Sequence, residues 1–277
     1  MLLFQRILDF KQAALARLRD KRKSVRYPVG PGFALKGTVS LRGQASASSD
    51  WSGQLANLSP CGASLLLPPA AITDRGEATT LTLTIEQHTL KLPCKVAHFR
   101  VLATHATCGL TLEFPDYQVQ KGFAQLLEAV RIGATLAPVK PAGRRPAAAS
   151  VEQYRAGTAT RLSVWRGAGD AAIERFEFVL GDHVVRGGTT SPLVITSKDE
   201  RGDAPGAEVV AEVKRLFRWS LANFGKTVPT DVRDFLRQAA ADQRPAPAVA
   251  RTGTLSGDPG KFPPPRRPVT RPPIPAS

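Results

Sequence analysis

Six short β-prone runs follow one another between Phe33 and Phe114 with no helical spacing between them, and this succession constrains the fold most. The runs cover 33–39, 52–58, 62–67, 79–86, 89–101 and 104–114, divided by turn material such as Pro68-Pro69, Asp74-Arg75-Gly76 and Gln87-His88. In the fourth run Leu81, Leu83 and Ile85 alternate with threonines, the period of a strand with one buried face. Six such strands predict a small antiparallel barrel or sandwich. Val119, Phe123, Leu126, Leu127 and Val130 then mark one closing helix.

The remaining segments read differently. From Leu3 to Leu18 apolar residues recur at three-four spacing opposite Arg6, Lys11 and Arg17, which predicts an amphipathic helix over 1–20. Such a helix docks on protein or lies on an anionic membrane surface. Residues 21–32, with Pro28, Gly30, Pro31 and Gly32, form a basic non-helical linker. Residues 136–150, rich in Ala, Pro and Arg, read as a second linker. Residues 151–242 predict a small α+β domain: strands over 158–166 and 173–180, then helices over 207–224 and 230–241. From Gln243 to Ser277, ten prolines and one aromatic leave too little apolar surface to offset chain entropy, so a disordered tail is expected.

Charge narrows the class of partner. The 277 residues carry 38 Lys and Arg against 23 Asp and Glu, a formal charge of +15. Residues 1–30 contribute +6 and residues 243–277 contribute +5, so the folded middle is nearly balanced. A duplex-binding domain normally gathers its basic residues on a folded face, and no specific nucleic-acid partner is expected here. No run approaches the roughly 18 uncharged apolar residues of a membrane span. Three cysteines are too few for a disulfide framework, which points to a reducing compartment, the cytoplasm.

Two motifs bracket the first strand. The linker contains Arg22-Lys23-Ser24-Val25-Arg26, and 31 residues beyond the second arginine comes Asn57-Leu58-Ser59-Pro60-Cys61-Gly62. On one strand Asn57 and Ser59 point to the same face, about 6–7 Å apart. Pro60 and Gly62 suit the second and fourth positions of a type I turn, and glycine also lets a ligand or another backbone approach closely. A guanidinium grips phosphate oxygens in a fork, donates to the O6/N7 edge of guanine and stacks on a purine face.

Arg22-x-x-x-Arg26 ahead of a barrel, followed by Asn57-x-Ser59-x-x-Gly62 at a strand end, resembles the PilZ domain, whose characteristic ligand is the bacterial messenger cyclic di-GMP. The late strand Cys108 to Phe114 and the closing helix are similar to that family's layout, and the resemblance covers about residues 20–135. It implies a mainly β chain: a six-stranded antiparallel PilZ-type β-barrel over 21–135 with a closing helix, then the α+β domain and the tail. It implies that Arg22 and Arg26 grip phosphates and guanine edges, that Asn57 and Ser59 contact base or phosphate, and that Gly62 keeps the turn open. Lys21 sits where the family varies and leans toward an intercalated ligand pair. The function so implied is that of a cyclic di-GMP receptor that changes conformation or partner binding, with no cofactor beyond that ligand. The alternative is an adaptor that uses the PilZ fold only to contact protein.

Other constellations carry less. Cys94, His98, His105 and Cys108 have a zinc-like spacing, but on two antiparallel strands their side chains alternate between faces, so no metal is expected. Gly225-Lys226-Thr227 resembles the end of a phosphate-binding loop but follows a helix where a strand is required. No triad or carboxylate pair suggests catalysis, and the chain reads as a non-enzyme.

Overall fold

A computed structural model describes residues 24–42, 48–139, 150–167, 169, 172–199 and 204–241. The expected helix over 1–20, Lys21, Arg22 and the proline-rich tail lie outside the described residues.

The first layer contains β1 (Tyr27–Pro28), β2 (Lys36–Arg42), β3 (Ser48–Ser59), β4 (Gly62–Leu67), β5 (Ala78–Ile85), β6 (His88–Val101) and β7 (Ala106–Leu112). Every pairing is antiparallel, in the order β1-β3-β2-β5-β6-β7-β4, and β4 returns to pair with β3. Strands β2 to β7 therefore close a six-stranded barrel, as the six runs predict. Closure removes the free edges that would otherwise template aggregation.

Alternation explains the filling. Leu81, Leu83 and Ile85 of β5 are buried while the threonines between them are partly exposed, and Leu65, Leu92, Val96 and Leu110 meet them inside. The first strand begins later than its run suggests: Phe33 and Leu35 enter the core from the preceding turn. The second begins earlier, because polar Ser48 to Asp50 pair with Ser40 to Arg42 as an extension of the hairpin. Helix α1 (Tyr117–Thr135) is started by Asp116, whose carboxylate accepts from Val119 N at 2.8 Å. It buries Phe123, Leu126, Leu127 and Val130 against the barrel.

The second sheet runs in the order β13 (Val194–Ser197), β12 (His183–Gly188), β11 (Ile173–Leu180), β10 (Thr160–Arg166), β9 (Ser150–Arg155), β8 (Ala137–Pro138). Helices α2 (Ala207–Ala222) and α3 (Thr230–Ala241) cover its apolar face, where Leu162, Val164, Phe178 and Val185 meet Val213, Phe217 and Leu236. β9 and β12 escape a reading by hydrophobic period for local reasons. β9 is mostly polar, with Tyr154 buried only by donating its hydroxyl to Glu152 at 2.8 Å, and β12 ends in Gly187-Gly188.

Two helices join the layers. Helix α1 gives Phe123 to the barrel core and Ile132 to the second core; α2 gives Trp219 to the first and Phe217 and Leu221 to the second. Between them Lys121 pairs with Glu212 at 2.9 Å, and Arg215 donates to the Gln125 carboxamide at 2.9 Å. No helix among the described residues is long and apolar enough to cross a membrane.

Candidate functional site

The geometry of the site depends on one extra residue in β3. Leu55 pairs with Leu65 and Asn57 with Ser64, so Ala56 is a bulge. A bulge shifts the alternation by one position. Leu55 and Leu58, three apart, consequently both point inward and are buried, while Asn57 and Ser59 move to the outer side of the wall. A strand of unbroken alternation would have turned them into the core. A second bulge at Ala97 of β6 has the same effect: Val96 pairs with Leu110 inside, and His98 pairs with Gly109 outside.

Paired residues on neighbouring strands share a face, so the registers define two rows on the outer wall. One runs Pro28, Asn57, Ser64, Gly109, His98; the next runs Ser59, Gly62, Thr111, Lys95. Gly62 and Gly109 stand in adjacent rows of this outer face. A Cβ on Gly62 would sit 2.8 Å from Leu110 O, so the glycine lets the β7 backbone come close. A Cβ on Gly109 would run into the His98 ring, which lies across that position.

The linker borders these rows. Tyr27 pairs with Leu58 and Pro28 with Asn57, and Val29 N donates to Ala56 O at 3.1 Å. Arg26, exposed and one residue before Tyr27, stands at the level of Ser59 by continuation of that register. Upstream, the Ser24 hydroxyl contacts Cys61 Sγ at 3.3 Å, which brings the linker to the tip of the β3–β4 hairpin. Arg26, Asn57, Ser59 and Gly62 are thus brought together, whereas Arg22 and Lys21 lie outside the described residues.

The hairpin tip is Pro60-Cys61, and none of residues 59–62 takes a positive φ, as a type I turn requires. Ser59, buried, donates its hydroxyl to Gly62 O at 3.2 Å. Its lone pairs remain as acceptors. Asn57 is half-buried and Lys95 exposed, the latter paired with Glu113 at 2.9 Å, a contact that raises its pKa.

The zinc-like spacing is divided by the barrel wall. Cys94 and Cys108 face the interior, where burial pushes their thiols up to about 12 and about 11, while His98 lies outside. Among the described residues no cluster of three metal-ligating side chains occurs. The Gly225-Lys226-Thr227 segment follows α2 and is tied to α1: Gly225 N donates to Gly133 O and Thr227 Oγ1 to Leu136 O.

Residues 20–130 match the family model of the PilZ domain. The barrel is a PilZ domain. Similar solved structures include "PilZ domain with c-di-GMP of YcgR from Escherichia coli", at 10% identity and a TM-score of 0.33, covering 40% of this chain and 92% of that one. Another is the Borreliella burgdorferi PlzA protein in complex with c-di-GMP, at 12% identity and a TM-score of 0.24, covering 78% of this chain and 99% of that one. No curated protein matches the chain.

Ser64, Gly109 and His98, which share one row of the outer wall with Asn57, are missed by the motif. Their signal is a glycine inside an apolar strand, which marks a bulge or a close approach.

Proposed function

We propose that the PilZ barrel is a cytoplasmic receptor for cyclic di-GMP, without catalytic activity, which passes the binding event on through a change in conformation or partner contact. The observation that carries this reading is the pairing of Tyr27-Pro28 with Leu58-Asn57, which holds Arg26 beside the strand bearing Asn57 and Ser59. A cyclic dinucleotide offers two phosphates and two guanines. Arg26 meets either with the same fork, and Arg22, four residues earlier, adds a second cation. The Asn57 carboxamide carries both donors and an acceptor for a base edge. While the Ser59 proton is engaged by Gly62 O, that hydroxyl presents lone pairs and favours a guanine N–H over a phosphate oxygen.

The test is a calorimetric titration with cyclic di-GMP on the wild type and on Arg22→Ala. Loss of one charge-assisted contact costs about 1.5–3 kcal/mol, a ten- to hundredfold weaker Kd. Equal affinity in the two proteins would refute the assignment of the motif.

A further inference from the structure

We propose that Asn223 positions the ligand-binding linker and couples occupancy of the barrel to the packing of the second layer; the inference rests on the cyclic di-GMP reading above. Asn223 follows the last residue of α2 and is 4% exposed. Its Oδ1 accepts from Gly30 N at 2.7 Å, and its Nδ2 donates to Val130 O at 2.9 Å and Pro28 O at 3.3 Å. A primary amide has two N–H donors and one carbonyl, and all three are engaged by backbone outside its own helix. The partners fix its orientation, since a flipped amide would set Nδ2 against an N–H and Oδ1 against two carbonyls.

Two glycines make room for this side chain. A Cβ on Gly30 would approach Oδ1 to 3.2 Å, and a Cβ on Gly133 of α1 would lie 2.6 Å from Asn223 Cβ. One buried carboxamide therefore ties the linker, α1 and the end of α2 together. Pro28 and Gly30 are two and four residues beyond Arg26, so the backbone that carries the guanidinium is held by a residue of the second layer. Next to Asn223, Leu221 and Phe224 are buried in the second core. A ligand that draws Arg26 toward Ser59 acts on the amide through Pro28 and Gly30. By linkage, the packing of α2 acts equally on affinity.

The test uses the full chain with cyclic di-GMP, reading hydrogen exchange and calorimetric affinity in the wild type, Asn223→Ala and Asn223→Asp. Ligand is expected to slow exchange in wild-type residues 219–228 as well as in 57–64. Asn223→Ala should bind about tenfold more weakly, keep the protection at 57–64 and lose it at 219–228. Asn223→Asp, which retains the acceptor for Gly30 N but sets a buried carboxylate oxygen against the carbonyls of Val130 and Pro28, should bind no more tightly than Asn223→Ala and likewise lose the protection at 219–228. A wild type that binds with no change at 219–228 overturns the coupling even if both variants fail to fold, and so does undiminished affinity in Asn223→Ala. A wild type that does not bind at all overturns the ligand reading and this inference together.

Discussion

Pro28 stands directly opposite Asn57 in antiparallel register, so the segment that delivers Arg26 is itself a strand of the wall it serves. A linker fixed in this way has fewer arrangements to lose when a ligand is bound, and preorganisation of that kind favours affinity.

The contact between the Ser24 hydroxyl and Cys61 Sγ makes the thiol a reporter of the linker's position. At mildly alkaline pH iodoacetamide is expected to label Cys61, whereas Cys94 and Cys108, buried and with raised pKa values, stay unreacted in the folded protein. Cyclic di-GMP should slow labelling of Cys61 as the linker tightens over the hairpin. Mass spectrometry of the alkylated peptides with and without ligand checks both outcomes.

Gly62→Ala places a methyl 2.8 Å from a backbone oxygen of β7, which cannot rotate aside. The strands must separate slightly, at a cost of about 1–3 kcal/mol. With about 2–4 °C per kcal/mol for a domain of this size, thermal unfolding should fall by several degrees. An unchanged Tm would show that the β4–β7 contact is looser than described.

The His98 ring ends the row that begins at Pro28 and Asn57 and lies over Gly109. Removing it with His98→Ala should weaken cyclic di-GMP by about 1 kcal/mol or more if a base stacks there, roughly a fivefold rise in Kd. The same substitution should relieve the clash introduced by Gly109→Ala. Comparing the Tm of both single variants with that of the double variant measures this coupling.

The joint between α1 and α2 should be acid-sensitive. Burial pushes the Glu212 carboxyl up, but hydrogen bonds from Lys121 and Gln125 outweigh it and leave its pKa below the ordinary 4.5. A carboxylate with a lowered folded pKa adds stability that is present above its unfolded value and lost as pH falls through the folded one. Thermal unfolding should therefore decline below about pH 4.5, and Glu212→Gln should flatten that decline. Asp231 adds to the same slope: burial raises its pKa, yet the hydrogen bond from Arg166 brings it net below its usual value.

Most of the barrel was legible because its strands bury one face and so must alternate, as Leu81, Leu83 and Ile85 do. That Asn57, Ser59 and Gly62 lie together at one hairpin was legible through their spacing. Which side of the wall they occupy was not, because the bulge at Ala56 reverses the phase and an alanine gives no sign of it. His98 and Gly109 were hidden for the same reason at Ala97. The role of α2 was obscured by its double face: Trp219, two residues and about 200° round the helix from Phe217, lies off the apolar stripe and fills the other core. Asn223 was invisible as a contact, since its partners lie 93 to 195 residues away.

The most direct test places the ligand on the molecule. Amide chemical shifts recorded on titrating cyclic di-GMP into the full chain should move most at 24–30, 57–64, 98 and 109, and in Arg26→Ala those changes should need ten- to hundredfold more ligand. Shifts confined to other strands of the barrel, or an Arg26→Ala titration superimposable on the wild type, would contradict a site built between the linker and the β3–β4 hairpin.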